Sequence, residues 1–139
     1  MGGYSRSRCR EWALQFLYQA EFAGQHRPEA VEQFWHHFKA EGAPPAYLQD
    51  LVQGVASHLE ELDVFIVRFS EHWRLERMTI VDRNLLRLAV YELLYQPEIP
   101  PKVVINEAVE MAKRYGSEAS GGFVNGILDQ VRLSVGREV

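Results

Sequence analysis

The apolar residues of this chain recur at intervals of three and four along almost its whole length, which is the spacing of one face of a helix. No segment shows the strict alternation of apolar and polar residues that a half-buried strand requires. The clearest stretch is 100–129, where two amphipathic patterns meet at Gly116. The sequence therefore predicts an all-α fold of six to eight helices.

Prolines divide the first half of this pattern into separate helices. Pro28 follows a first helix predicted over about 8–22, and Pro44-Pro45 precede a third helix that ends just before His58. Because the apolar pattern resumes directly after His58, we expect a tight corner there and not a long loop.

Two helix ends in the second half of the chain carry residues that are typical of helix caps. Thr79 with Asp82 three residues later has the spacing of a capping box, so it predicts the start of the helix that ends near Tyr95. Gly116 suits the left-handed position that follows a helix, and Ser117 suits the N-cap of the last helix.

Length and composition are those of one ordinary globular domain, spanning residues 1–139, with 47% hydrophobic and 24% charged residues. The single cysteine, Cys9, excludes an internal disulfide framework and suits a reducing compartment. No run approaches the roughly 18 apolar residues of a membrane span, and the N-terminus lacks the apolar core of a secretion signal. We therefore expect a soluble, cytoplasmic protein.

The motifs of common enzymes and metal sites do not occur. The five histidines form no HExxH motif, and one cysteine cannot supply a cysteine-rich zinc site. The glycines between 116 and 126 do not form a phosphate-binding loop. Cys9 is better explained as a small packing residue than as a nucleophile. The sequence therefore predicts a binding protein without a metal or cofactor, and not an enzyme.

Positive charge is concentrated at the N-terminus of a chain whose formal net charge is −4. Residues 1–10 contain Arg6, Arg8 and Arg10 and no acid, and we predict that they form a flexible arm. Guanidinium groups bind phosphates through paired hydrogen bonds and stack on bases, so such an arm suits RNA. The alternative is a frayed terminus that only adds solubility.

Other candidate recognition residues have equally plain structural explanations. Tyr18 shares a broad helix face with Arg10, so it either stacks on an unpaired base or packs in the core. Asp82, Arg83 and Arg87 either form a recognition surface or are a cap followed by a solvated polar face, and the residues alone favour the second explanation.

Two asparagines interrupt the apolar helical patterns of the closing stretch. Asn106 and Asn125 lower helix propensity unless their amides find partners, so we favour a buried polar contact between their two helices over a ligand site. Gly126 would then let the helices approach closely.

Three ordered segments share their pattern with one known family. They are 6–18, RSRCREWALQFLY; 80–93, IVDRNLLRLAVYEL; and a closing pair, 101–108, PKVVINEA, with 123–129, FVNGILD. Each resembles the corresponding segment of the NusB family of bacterial transcription antitermination factors, and together they extend over nearly the whole chain.

The resemblance implies a helical bundle of two packed subdomains and an RNA-binding function without catalysis. Members of the family bind the single-stranded boxA element of nascent ribosomal RNA leaders together with NusE, a small-subunit ribosomal protein. The complex helps RNA polymerase read through terminators. The matching positions imply an RNA-binding set of Arg6, Arg8, Arg10, Tyr18, Asp82 and Phe123, and a partner-binding set of Asp82, Arg83 and Arg87.

Two departures from the family pattern affect the expected affinity. Ser7 stands where many relatives have a basic residue, and 119–122 replaces polar and basic residues with Ala-Ser-Gly-Gly. Because both changes remove contacts to RNA, we expect weaker or more partner-dependent binding than in a strongly basic relative.

Three alternatives remain open at this stage. NusB-like domains also precede the catalytic domain of RNA cytosine-5 methyltransferases, but this chain ends at Val139 without such a domain. A helical protein–protein adaptor without direct RNA binding is another. A homodimer sealed by exposed Trp12 or Phe16 is the third, unless those side chains belong to the core.

Overall fold

The computed structural model describes residues 4–23, 27–38, 42–71 and 73–136, which form α-helices and short 3-10 turns but no strand. The predicted all-α fold is confirmed. Within these described ranges, two 3-10 turns, Pro28–Ala30 and Leu75–Arg77, accompany seven α-helices: α1 Arg6–Phe22, α2 Val31–Phe38, α3 Ala46–Ser57, α4 Leu59–Phe69, α5 Ile80–Tyr95, α6 Pro101–Tyr115 and α7 Ser120–Ser134.

The chain forms two compact units, Met1–Ser57 and His58–Val139. The division falls at the predicted corner, since α3 ends at Ser57 and α4 begins at Leu59 with His58 between them. The backbone of His58 leaves the helical region, with φ −116° and ψ 20°. One residue is thus enough to end one helix and start the next.

The first unit is held together by α1 packed against α3 and by a group of aromatic rings. The rings of Trp12 and Trp35 meet edge to face with centroids 4.9 Å apart, and Phe16 meets Phe34 in the same way at 5.5 Å. Trp12 and Phe16 are both buried within this unit, so of their two alternative explanations the core position is the one that the structure supports. Aromatic pairs of this geometry stabilise a core beyond the area that they bury.

Helix α1 begins at Arg6, two residues before the predicted start. Ser5 is its N-cap, and the Ser5 Oγ accepts a hydrogen bond from the Arg8 backbone N–H at 3.1 Å. Arg6, Arg8 and Arg10 therefore lie in the first turns of a helix, and the predicted arm is not extended over 6–10.

In the second unit, α5 is the central helix and packs against α4, α6 and α7. Its residues 84–93 are all buried. The predicted cap is confirmed, because the Thr79 Oγ1 accepts a hydrogen bond from the Asp82 backbone N–H at 3.1 Å. The cap fixes where this buried helix starts, and so fixes the position of the Asp82 side chain.

The predicted left-handed conformation of Gly116 is wrong. Gly116 ends α6 in extended backbone, with φ −102° and ψ −161°, and the N-cap of α7 is Ala119 instead of Ser117. Glycine is required here for another reason: a Cβ at this position would lie 2.5 Å from the Ser120 Oγ and 2.8 Å from the Ala112 carbonyl oxygen. The Ser120 Oγ instead accepts a hydrogen bond from the Ser117 backbone N–H at 2.9 Å.

The predicted polar contact between Asn106 and Asn125 is also wrong, because both side chains are exposed. Gly126 is exposed as well, and a Cβ built there meets no atom within 4 Å, so it does not serve close helix packing.

Across the described helices, none has both the length and the apolar character needed to cross a bilayer.

Candidate nucleic-acid interface

The first two arginines of α1 are exposed, and each lies over an aromatic ring. The Arg6 Cζ is 5.6 Å from the centroid of Tyr47, and the Arg8 Cζ is 4.8 Å from the centroid of Trp12. Arg8 also approaches Glu11 at 3.8 Å, a distance at which an exposed pair adds little stability. Since a ring beneath a guanidinium restricts its motion, both groups present a planar cation at a defined place on the surface.

Arg10 differs from its two neighbours, because it is only 4% exposed. Its charge lies close enough to Cys9 to lower the pKa of that thiol, but burial of Cys9 has the larger, opposite effect and the pKa is raised overall. The expected packing role of Cys9 agrees with its complete burial as a free thiol. Arg10 therefore faces the interior of the first unit, and its assignment to the RNA-binding set stays a prediction that its burial argues against.

Tyr18 is 41% exposed, so it is not the core residue that was its alternative explanation. Its ring stacks on that of Phe22, with centroids 6.2 Å apart and an interplanar angle of 16°. Phe22 is the most exposed large apolar side chain among the described residues. The pair forms an exposed aromatic surface on α1, of which only Tyr18 was predicted.

In the second unit, Asp82 and Phe123 line one hollow of about 250 Å³. We call it the Asp82 hollow. Its further lining residues come from the segment before α5 and from the turn before α7: Trp73, Arg77, Met78, Thr79, Ser117 and Ala119. The ring of Trp73, itself 51% exposed, meets the ring of Phe123 edge to face with centroids 6.0 Å apart. The structure thus brings two predicted residues together and adds Trp73 and Met78, which the sequence did not indicate.

Asp82 is 7% exposed, and its Oδ1 has no hydrogen-bond partner among the described residues. The backbone N–H of Asp82 is satisfied by Thr79, so the missing contact concerns the carboxylate alone. A buried acceptor without a donor costs about 1–3 kcal/mol, and more when it is charged. The Oδ1 atom is itself enclosed, so this unpaired acceptor lies inside the second unit.

The two arginines that follow Asp82 have contacts within the second unit. The Arg83 Nη1 donates to the Met78 carbonyl oxygen at 2.5 Å and so fixes the end of the 3-10 turn beside the hollow. The Arg87 Nε donates to Asp63 Oδ1 at 2.8 Å, and Arg87 is buried. Their predicted partner-binding roles are not tested by these contacts, but Arg87 does not present its guanidinium at the surface.

The candidate residues therefore form two separate sets, one within each unit. Arg6, Arg8 and Tyr18 are exposed on α1 in the first unit. Asp82 and Phe123 share the Asp82 hollow in the second unit. Arg10 and Arg87, predicted from the same family pattern, are buried.

Comparison with known proteins gives one consistent result. The NusB family model matches residues 7–132. The transcription antitermination protein NusB of Sorangium cellulosum is 48% identical over 133 residues, covering 96% of this chain and 95% of that protein. Its counterpart in Anaeromyxobacter dehalogenans is 51% identical over 127 residues, covering 91% and 89%.

Solved structures agree with the sequence comparison. T. maritima NusB superposes with a TM-score of 0.81 at 41% identity, covering 95% of this chain and 93% of that one. A NusB chain crystallised with NusE and double-stranded RNA gives a TM-score of 0.80 at 30% identity, covering 93% and 96%. Since the family model and these relatives extend over nearly the whole sequence, the chain belongs to the NusB family.

Proposed function

We propose that this protein is a transcription antitermination factor that binds single-stranded boxA RNA of nascent ribosomal RNA leaders together with NusE. In this role it joins the antitermination complex of RNA polymerase in the cytoplasm and promotes read-through of terminators. It acts by recognition alone and catalyses no reaction. We further propose that residues 1–139 work as one RNA-binding domain.

The observation that carries the proposal is the family match over residues 7–132. Curated relatives that this chain resembles over nine-tenths of its length are named as transcription antitermination proteins. A structural relative was crystallised with NusE and double-stranded RNA, which supports NusE and RNA as the partners of this chain.

The exposed groups of the two units support RNA as a ligand. Arg6 and Arg8 offer planar cations that bind phosphates or stack on bases, and Tyr18 offers an exposed ring for stacking. Phe123 and Asp82 line a hollow that suits a small planar group. The overall charge of −4 limits non-specific attraction to RNA, so we expect binding to depend on the partner protein.

The departures from the family pattern at 119–122 also support RNA binding that depends on the partner protein, but only at one of the two glycines. Gly121 is buried, and a Cβ there would lie 3.3 Å from the Lys113 Cγ, so this glycine serves the packing of α7 on α6. Gly122 is exposed with open space beside it, so only here does the lack of a side chain remove a potential RNA contact.

A binding titration tests the proposal. A fluorescently labelled boxA oligonucleotide is titrated with this protein alone, with NusE alone and with an equimolar mixture, and a shuffled oligonucleotide of the same composition serves as the control. We expect the mixture to bind boxA more tightly than either protein alone and more tightly than the shuffled RNA. A transcription assay on a terminator template with a boxA leader should then show read-through that requires both proteins.

Two results would contradict the proposal. Equal affinity for boxA and shuffled RNA would remove the sequence preference that the function needs. Tight binding of NusE with no effect of RNA would instead favour the helical adaptor.

A further inference from the structure

We propose that a groove on the first unit, between α1 and α2, binds a protein segment that inserts one apolar side chain and places a carboxylate beside it. The groove has a volume of about 290 Å³ and an apolar floor formed by Phe16, Ala20, Ala23, Ala30 and Phe34. We call it the α1–α2 groove. The inference goes beyond the proposed function, because none of these residues belongs to the candidate RNA-binding or partner-binding sets.

The size and the floor of the groove suit a single side chain. The rings of Phe16 and Phe34 meet edge to face with centroids 5.5 Å apart, and both are buried. The three alanines complete the floor with methyl groups. Pockets for whole small molecules usually measure about 300–1,000 Å³, so this groove matches one aliphatic or phenyl group and not a cofactor.

The rim of the groove carries positive charge, and no acid stands among the described residues that line it. The rim is formed by Gln19, Arg27, Gln33 and His37, whose side chains are exposed. Arg27 forms no ion pair with a described residue, although residues 11–63 contain nine acids and only one other lysine or arginine. Such a guanidinium is suited to bind the carboxylate of another molecule through paired hydrogen bonds.

The surroundings of the groove favour a protein segment over RNA. Phe16 and Phe34 are at most 7% exposed, so neither offers a ring face for stacking with a base. Glu21, Glu29 and Glu32 lie on the same elements that form the groove. A strand of RNA would bring several phosphates close to these acids, whereas a peptide needs a single carboxylate at the rim.

Two features at the border of the groove also suit a protein partner. The amides of Gln19 and Gln33 each carry donors and an acceptor, which match the N–H and C=O groups of an incoming backbone. Phe22 follows Gln19 by three residues on α1, so it lies beside the groove, and it is 75% exposed. Aromatic side chains are enriched where proteins bind one another.

Fluorine NMR tests the proposal with a defined probe. The probe is the blocked tetrapeptide Gly-Phe-Asp-Gly with para-fluorophenylalanine, and the control peptide has asparagine in place of aspartate. Each is titrated with the full-length protein. We expect the aspartate peptide to bind about threefold more tightly, because Arg27 pairs with its carboxylate. A fluorine signal of the aspartate peptide that does not change at about 1 mM protein would overturn the proposal.

Two variants remove the two parts of the site separately. Arg27→Gln removes the charge, so both peptides should bind with the same affinity. Ala23→Leu fills the groove from an exposed position and should weaken both peptides about tenfold. The controls Arg74→Gln and Gln15→Leu alter exposed residues outside the groove and should bind like the wild type. Circular dichroism confirms that each variant is folded.

Methyl spectra locate the bound peptide independently of the variants. In protein labelled at its alanine methyl groups, the signals of Ala20, Ala23 and Ala30 should shift when the peptide binds. The signals of Ala108 and Ala112 in the second unit should stay in place. Shifts of the groove signals caused by boxA RNA alone would show an RNA contact, and shifts caused by dilution would show a second copy of the chain. Either result would overturn the proposal.

The outcomes separate this inference from the proposed function. Equal affinity of the wild type for the two peptides overturns recognition of a carboxylate. Peptide binding that survives Ala23→Leu overturns the assignment to the groove. Both groove variants should bind boxA RNA with NusE as tightly as the wild type does, so failure of the peptide site leaves the proposed function intact. Loss of boxA binding in either variant would place the groove in the RNA complex and overturn a separate site.

Discussion

Arg87 and Asp63 form a paired ion contact that joins α5 to α4. The Arg87 Nε donates to Asp63 Oδ1 at 2.8 Å, and its Nη2 donates to Asp63 Oδ2 at 3.1 Å. The Arg87 side chain is only 6% exposed, and its Nη1 also donates to Asn84 Oδ1 at 3.2 Å. Such paired geometry is the strongest form of an arginine–carboxylate contact.

Replacing Arg87 with alanine should destabilise the second unit. The change leaves Asp63 without its partner and opens a space beside a buried helix, and the loss of one member of a buried pair costs about 3–5 kcal/mol. We expect a loss near the lower end, because Asp63 is 23% exposed and water replaces part of the contact. Urea unfolding followed by circular dichroism measures the change.

The exposed pair of Lys113 and Glu110 is the control for this measurement. Its atoms are 3.7 Å apart and both side chains are more than 60% exposed. Lys113→Ala should change the unfolding free energy by less than about 1 kcal/mol. An Arg87→Ala protein as stable as Lys113→Ala would show that the paired contact does not hold α5 to α4.

Gly116→Ala should destabilise the connection of α6 and α7, although alanine favours helices elsewhere. The added Cβ would lie 2.5 Å from the Ser120 Oγ and 2.8 Å from the Ala112 carbonyl oxygen, and one of these contacts is with backbone. Overpacking of this kind costs about 1–3 kcal/mol. The measurement is the shift in the midpoint of urea unfolding.

Gly126→Ala, within α7, is the control for Gly116→Ala and should increase the stability. The built Cβ there meets nothing within 4 Å, and alanine is favoured over glycine in a helix by about 1 kcal/mol. The two alanine substitutions should therefore change the stability in opposite directions. A loss of stability in both proteins would mean that the space beside Gly126 is not open.

Local patterns predicted the helices because each helix has to bury one face. The same helical spacing explains the burial of Arg10, which precedes Ala13, Leu14 and Leu17 by three, four and seven residues and so shares their buried face. The charge of Arg10 suggested that its side chain is exposed to RNA, but its position on the apolar face of the helix places it in the interior.

Position on the helix also explains the error at Asn106. Lys102, Asn106, Glu110 and Lys113 recur at helical spacing, and all four are exposed. This polar stripe is visible in the sequence, although Asn106 also has apolar neighbours in the chain. Counting by three and four from charged residues would have placed this amide at the surface.

The Asp82 hollow was not predictable from any local pattern. Its walls come from Trp73 and Met78 on one side and from Ser117 and Phe123 on the other, and these segments are separated by the whole of α5 and α6. Only the packing of α7 brings Phe123 to Trp73. The family resemblance supplied Asp82 and Phe123 as separate positions, and the structure shows that they share one space.

Cys9 should resist alkylation while the protein is folded. The thiol is fully buried, and burial raises its pKa above the ordinary value, so the native protein holds little thiolate to react. We expect iodoacetamide at pH 7 to modify Cys9 much more slowly than the same thiol in urea-unfolded protein. Mass spectrometry of timed samples measures both rates, and equal rates would contradict the burial.

The raised pKa of Cys9 also predicts how stability varies with pH. Because the folded protein binds the thiol proton more tightly, this contribution is fully present below the unfolded pKa of about 8.5 and is lost as pH rises through the folded pKa. The unfolding free energy should therefore fall more between pH 7 and pH 10 in the wild type than in Cys9→Ala. Tyr95, whose pKa is raised by its hydrogen bond to Glu61, is present in both proteins and cancels in the comparison.

Arg6 and Arg8 should account for part of the salt dependence of RNA binding. Each phosphate that a cation neutralises on a single strand releases counterions and contributes about −0.7 to the slope of log affinity against log salt. Arg6→Ala/Arg8→Ala should therefore make this slope shallower by about 1.4 and weaken binding most at low salt. Arg10→Ala should lower stability instead and leave the slope nearly unchanged, because Arg10 is buried. Fluorescence anisotropy across a series of salt concentrations measures both slopes. A steep slope retained by the double variant would place the phosphate contacts elsewhere on the protein.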